Sequence, residues 1–374
     1  MRAFARTDSS TFGRWWWTVD HWTLWAVAAL IGFGAVMTLA ASPAVADHLG
    51  LNPFYFAHRQ FIILPAAAAV TVAISLMPPE WVRRLAVVLL ALALIGVVAT
   101  LFGGTQIKGA RRWIGAGGFS IQPSEFVKPC FIVVSAWLLS RRKMAGQSPL
   151  SVTSLGLFAV VILLLVMQPD MGMVAVVSTV WLGQMFMAGL PLRFMAILAG
   201  IAAAGMVAAY FLFPHVASRV DRFLDPDVGD HYQVTTSLEA FENGGLFGRG
   251  PGEGTVKQVL PDAHADFVLA VAGEEMGLLA CLAIVALYGF IVLRGFVRML
   301  QENDFFILLA ASGLLAEFGL QALINMGSTL DLLPTKGMTL PFISYGGSSV
   351  IALAIGMGML LSLSRRRTVA GGLR

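Results

Sequence analysis

Apolar stretches of about 17 to 25 residues recur along the whole chain, separated by short polar connections. Each is long enough to cross the ~30 Å hydrocarbon core of a bilayer as a helix. No motif constrains the fold as strongly. In hydrocarbon every backbone N–H and C=O must find a partner within the protein, which leaves helices or closed barrels. The stretches are continuously apolar instead of alternating, so a barrel is excluded. Composition agrees: 57% of the 374 residues are hydrophobic and 12% charged, about half the charge of a soluble domain, and the mean hydropathy is +0.79. The fold class that follows is an all-α polytopic membrane protein, one domain over residues 1–374. It should have about ten transmembrane helices and one long extracytoplasmic loop, about 214–265, between the seventh and eighth.

The spans fall at approximately 22–41, 59–77, 82–102, 124–140, 152–168, 172–189, 192–213, 266–293, 305–330 and 345–363. The first is expected to stay as a helix: it is longer than the ~7–15 apolar residues of a secretory signal, although Ala44-Val45-Ala46 imitates a cleavage site. Trp15, Trp16, Trp17, Trp22 and Trp25 read as an interfacial anchor. With the N-terminus inside, fifteen of the 25 basic residues, including Arg83, Arg84, Arg141, Arg142, Lys143, Arg294, Arg298 and Arg365 to Arg367, sit on cytoplasmic connections. The positive-inside rule then puts both termini in the cytoplasm. A net charge of +4 spread in this way is no nucleic-acid footprint. Cys130 and Cys281 lie in apolar segments and read as buried free thiols.

The other basic residues fall on or near the outer side, against the topological bias, and they cluster. Lys108, Arg111 and Arg112 share one loop with Trp113. Arg219, Arg222, Arg249 and Lys257 share the long loop. Two readings stand: an anionic ligand handled at this face, or neutralisation of acids such as Asp221, Asp225, Asp227 and Glu253. Guanidinium forks beside an aromatic face suit a diphosphate bearing a sugar. Arg59, at the outer end of the second span, is either another phosphate donor or an anchor. Proline and glycine break the chain on the same side at Gln122-Pro123-Ser124-Glu125, Gln168-Pro169-Asp170 and the stretch from Pro334 to Ser349. Irregular backbone at membrane depth is tolerated only against protein or a wet cavity, so one polar cavity opening outward is expected.

An acid at the edge of such a cavity is a functional candidate, because charge at membrane depth is costly. Asp266 stands where the long loop meets the eighth span. It could stay ionised and serve as a general base, or it could cap the helix, as Asp often does. If helix continues from Phe267, Glu274 lies ~12 Å deeper and ~80° round the axis from Asp266, with Glu275 nearly opposite. At most one glutamate would then share the cavity, and the other would meet a backbone donor or a cation. Glu125 and Lys128, three apart on one helix face, should pair. His264 is a proton relay or a plain loop residue. Asp170, His264, Ser344 and Lys336 complete the candidates for substrate contact on this side. No Ser/His/Asp triad, zinc spacing or dinucleotide fingerprint is present.

Lys108-Gly109-Ala110-Arg111-Arg112-Trp113-Ile114, Gln122-Pro123-Ser124-Glu125, Gln168-Pro169-Asp170, Leu260-Pro261-Asp262-Ala263-His264-Ala265-Asp266-Phe267, Pro334-Thr335-Lys336-Gly337 and Ile343-Ser344-Tyr345-Gly346-Gly347-Ser348-Ser349 together resemble the SEDS family (shape, elongation, division and sporulation) over nearly the whole chain. The Pro-Thr-Lys-Gly run resembles its cell-division branch more than its elongation branch. Where many relatives carry an Asn-rich loop, this chain has Pro251-Gly252-Glu253-Gly254. The resemblance implies a ten-helix glycosyltransferase that polymerises lipid II, the undecaprenyl-diphosphate-linked disaccharide-pentapeptide, at the outer face of the cytoplasmic membrane, with a lipid-linked glycan chain as its other partner substrate. It implies a class B penicillin-binding protein as transpeptidase partner, with other division-complex membrane proteins. The family's essential aspartate falls on Asp266, with the basic loop and Lys336 steadying the diphosphate. A divalent cation, Mg²⁺ or Mn²⁺, on the diphosphate is chemically reasonable, although the sequence offers no dedicated protein cage. The rival readings are an elongation polymerase, a lipid II flippase, and a scaffold that only binds a transpeptidase.

Overall fold

The computed structural model describes residues 10–107, 110–116, 119–150, 152–224, 232–260, 262–334 and 337–366. The chain is a helical bundle that begins with a short helix α1 (Thr11–Thr18) and a long α2 (His21–His48). It continues through α3 (Tyr55–Ser75), α4 (Pro79–Gly103), α5 (Pro123–Met144), α6 (Val152–Met167), α7 (Met171–Met187) and α8 (Leu192–Leu212). Two short helices follow, α9 (Pro214–Leu224) and α10 (Tyr232–Gly244), and then α11 (Val268–Met299), α12 (Phe305–Thr329) and α13 (Gly347–Leu363). Ten of these, α2 to α8 and α11 to α13, coincide with the ten expected spans. Six are long and apolar enough to cross a membrane by themselves. The long loop is not irregular throughout, since α9, α10 and a 3₁₀ turn at Val256–Gln258 lie in it.

The bundle has an inside and a rim. In the apolar window of α12, 67% of the residues are buried, against 6% in α8. α12 packs on α5, α7 and α11, while α13 packs most extensively on α3. Lipid is as apolar as leucine, so helices in it associate by close packing, which small residues permit. Gly358 shows this: a Cβ there would stand 2.9 Å from the Thr71 carbonyl oxygen. α8 and much of α4 turn leucine, isoleucine, valine and phenylalanine outward, as a lipid-facing surface requires.

The connection between α4 and α5 differs from the expected loop. It folds as an antiparallel three-stranded sheet of β1 (Thr105–Ile107), β2 (Ala110–Ala116) and β3 (Phe119–Ile121). Thr105 is opposite Trp113, and Ile114 is opposite Ile121. The physical reason is in the sequence: runs with isoleucine, tryptophan and phenylalanine are separated by the two-residue links Lys108-Gly109 and Gly117-Gly118, a hairpin spacing.

Candidate active site at one end of the bundle

Asp266 ends a tight turn in which its own N–H and that of Ala265 donate to the Asp262 carbonyl at 3.0 and 2.9 Å. It does not cap α11. That helix starts at Val268, and its N-cap is Phe267, with no side-chain cap. The turn is fastened from two sides. Asn325 Nδ2, on α12, donates to the Asp266 carbonyl at 2.9 Å and to the Met338 carbonyl at 2.6 Å. Ser344 Oγ donates to the Ala265 carbonyl at 2.5 Å and accepts from Leu340 N–H at 2.8 Å, and Tyr345 N–H donates to the His264 carbonyl at 2.9 Å. Asp266 Oδ2 is 3.5 Å from where a Cβ on Gly337 would stand. The acid therefore lies against the segment that precedes α13. Lys336 and Lys108 lie outside the described residues.

His264 and Ser344 sit beside the acid but do not present themselves to a ligand in the same way. Ser344 is fully buried and its hydroxyl is engaged by two backbone groups, so it holds the loops in place. The His264 ring is 4.7 Å from Phe56 and 5.2 Å from Tyr345, centroid to centroid. Arg59, one turn into α3, is bonded to the Tyr55 hydroxyl at 2.9 Å and also reaches Tyr345. The first turn of α3 thus brings a guanidinium to the Asp266 turn.

Arg111 and Trp113 are on β2, exposed and half-buried respectively. Arg112 is bound to the break between α6 and α7: its Nη1 is 3.3 Å from Asp170, and its Nε and Nη2 donate to the Gln168 and Pro169 carbonyls at 2.9 and 2.5 Å. Asp170 also caps α7 through Met173 N–H. Both residues, candidates for substrate contact from their sequence, are engaged with each other and brace the sheet. Glu125 and Lys128 do pair, at 2.9 Å. Lys128 Nζ also donates to Gln321 Oε1 at 2.7 Å. Gln321 Nε2 donates to Thr339 O at 3.0 Å, and Thr339 Oγ1 is 2.6 Å from Ser349 Oγ. Ser348 accepts from Gln122 N–H at 2.9 Å.

These bonds join the sheet, the start of α5, the segment before α13 and the Asp266 turn at one end of the bundle. Gln321 and Asn325, which make the joins on α12, lie with Glu317 on one buried face at a four-residue spacing. Sequence reasoning did not single it out. Its signal was present: polar residues every fourth position in an otherwise apolar span, where each needs a partner.

The glutamates of α11 meet backbone donors and cations, as expected for a glutamate outside the cavity. Neither joins Asp266. Glu274 Oε1 accepts from the N–H groups of Thr255 and Val256 at 2.9 and 3.1 Å and lies 3.7 Å from Arg249 Nη1. Glu275 pairs with Lys257 and accepts from Gly252 N–H at 3.0 Å. Arg249 and Lys257 therefore neutralise two buried carboxylates on the next helix. Those acids lie on α11 and not in the loop itself, as one reading had it. Asp225 and Asp227 lie outside the described residues. The glycine run lies close on α11 because Gly277 interrupts the helix with φ 80° and ψ 179°. A Cβ there would be 2.4 Å from Gly248 N. Among the described residues no group of three His, Cys, Asp or Glu side chains is placed to hold a metal ion.

The family model of FtsW, RodA and SpoVE, described as a cell cycle protein, matches residues 21–369. The chain belongs to the FtsW/RodA/SpoVE family. It is 43% identical to a probable peptidoglycan glycosyltransferase FtsW of Caulobacter vibrioides over 99% of this chain and 95% of that one. It is 38% identical to a protein of the same name from Alcanivorax borkumensis, covering 92% of each. Among solved structures it is similar to a chain from a study of polymerization and crosslinking by a peptidoglycan synthase complex, with TM-score 0.73, 28% identity, and 92% and 97% of the two chains covered. It is also similar to the rod-shape-determining protein RodA of Thermus thermophilus, with TM-score 0.68, 27% identity, and 93% and 97% covered. Membership makes the chain an integral membrane protein with multiple spanning helices.

Proposed function

We propose that this family member is a peptidoglycan glycosyltransferase of the FtsW type, polymerising lipid II at the outer face of the cytoplasmic membrane during septal wall synthesis. The observation that carries the reading is the Asp266 turn: an acid at a loop–membrane boundary, fixed by Asn325 and Ser344 against the segment before α13, with Arg59 at hand. Asp266 takes the proton of the acceptor sugar 4-hydroxyl, whose oxygen attacks the anomeric carbon of the donor chain. The anomeric carbon–oxygen bond breaks with inversion, and undecaprenyl diphosphate leaves with the electron pair. Arg59, Arg111 and Lys336 offer positive charge to that diphosphate, the kind of fixed electrostatic support that lowers such barriers. Trp113 gives a sugar an apolar face, and His264 stands two residues before the base, its ring against Phe56 and Tyr345. The names of the relatives support the activity, and a solved relative from a peptidoglycan synthase complex supports a class B penicillin-binding protein as partner.

In this reading the Asp266 end faces the periplasm and both termini are cytoplasmic. The opposite end carries Arg83, Arg84, Arg294, Arg298 and Arg365, in keeping with the positive-inside rule. The protein acts at the septum with other division-complex membrane proteins. A flippase should place its polar site near the midplane between repeats, whereas here the candidate residues gather at one end. The test is polymerisation of labelled lipid II by the purified complex. Asp266→Ala should yield no glycan while still binding the transpeptidase. Glycan from that variant would reject Asp266 as the base. Recruitment to the sidewall instead of midcell would move the chain to the elongation role.

A further inference from the structure

The end of the bundle opposite Asp266 holds a cavity of about 180 Å³ whose lining includes Trp17, Asp20, His21, Arg294, Arg298 and Arg366. Segments far apart in sequence build it: the link from α1 to α2, the last turns of α11, and the residues after α13. Asp20 is clasped by Arg294, with Nε at 2.9 Å and Nη2 at 2.8 Å, and by Arg298 Nη1 at 3.2 Å. Arg298 Nη2 donates to the Ser364 carbonyl at 2.6 Å. Arg366 is held by its backbone, N–H to the Thr18 carbonyl at 3.0 Å, while its side chain is exposed.

Three guanidiniums against one carboxylate leave the lining with a surplus of two positive charges. Arg294 and Arg298 already neutralise Asp20, and Arg366 makes no ion pair with it, so self-neutralisation does not account for the third cation. Nη1 of Arg294 and Nε of Arg298 have no partner among the described residues. His21 Nε2, shielded from solvent in the same lining, has none either. The cavity is thus rich in donors and short of acceptors. The indole of Trp22 is 65% exposed beside it, and tryptophan favours the headgroup level of a bilayer. Basic pockets between transmembrane helices at such a level suit anionic headgroups.

We propose that this cavity binds the phosphate of an anionic phospholipid in the adjoining leaflet, with Arg366 as its main ionic donor and Trp22 against the lipid's apolar part. A bound lipid would brace α1, α2, α11 and the C-terminal segment at once. The proposal does not depend on the catalytic reading of the other end.

The test uses the full chain purified in neutral detergent, with native mass spectrometry and thermal unfolding in the presence of phosphatidylglycerol, phosphatidylcholine or inorganic phosphate. Phosphatidylglycerol should stay bound and raise the unfolding midpoint, while phosphatidylcholine and phosphate should do neither. Arg366→Glu should weaken phosphatidylglycerol binding about tenfold and Arg366→Lys should keep most of it. Because the Arg366 side chain is exposed, both variants should fold, and the lipid-free midpoint checks this. Equal retention of the two lipids, or unchanged binding in Arg366→Glu, would overturn the proposal. An equal response to phosphate alone would overturn the lipid and leave a soluble-anion site.

Discussion

Replacing Asn325 by alanine removes the amide that ties the Asp266 carbonyl to the Met338 carbonyl. Asn325 is 1% exposed, so water cannot readily take its place. A neutral buried hydrogen bond contributes about 1 kcal/mol net, and a carbonyl left without its donor costs a further ~1–3 kcal/mol. At those values two bonds to two carbonyls put the loss of stability at about 4–8 kcal/mol, an upper bound because the loops can relax. The effect on rate should be larger than stability alone explains. Freed from α12, the Asp266 turn can drift from the segment beside Gly337, and a displacement near 1 Å in a catalytic group costs about 10²-fold. The assay is lipid II polymerisation by the purified complex below the variant's unfolding midpoint, with lipid II binding measured in parallel. The rate should fall about 10²-fold with binding nearly unchanged. A variant that unfolds earlier yet polymerises at the normal rate would refute the idea that α12 positions the acid.

The Glu275–Lys257 pair is almost wholly buried, so Glu275→Gln, which strands a cation, should cost about 3–5 kcal/mol, whereas Glu275→Gln with Lys257→Met should recover most of it; equal melting of the single and double variants would contradict this. Gly277→Ala forces a side chain into φ 80° and into the glycine run, so the 244–257 segment should become sensitive to limited proteolysis, with stability lower by about 1–3 kcal/mol. Burial pushes the Asp20 carboxyl up, but hydrogen bonds from Arg294 and Thr23 and the charge of Arg298 prevail and hold it below the usual carboxylate range. A depressed folded pKa adds stability that is full above the unfolded value, near pH 4, and is lost as pH falls through the folded value. Thermal unfolding from pH 6 to pH 2.5 should therefore show a shallower acid decline in Asp20→Asn than in the native chain.

The spans were legible because hydrocarbon permits so few backbone solutions: from 59–77 against Tyr55–Ser75 to 305–330 against Phe305–Thr329, the edges agree to within about six residues. Glu125 with Lys128 was legible because helical spacing alone brings them together. Contacts between distant segments were not. Glu274 and Glu275 were expected to meet a backbone donor or a cation, and they do, but which ones was not legible. The loop folded back on α11 at Gly277 supplies them from residues 249 to 257. Arg112 read as a phosphate donor because nothing in its own loop could oppose it, and Asp170, its partner, comes from another turn of the chain. Asn325 was passed over because its four-residue spacing from Gln321 and Glu317 marks a buried polar face in an apolar span but names no partner. Only the tertiary structure shows two loops hanging on it.

The most direct test is the single-turnover rate of glycan formation by Asp266→Asn in the purified complex, with lipid II binding measured on the same preparation. General-base catalysis contributes about 10²–10⁴-fold, so the rate should drop by about 10³-fold while lipid II still binds and the unfolding midpoint holds. A rate within tenfold of the native enzyme would mean that some other group takes the proton.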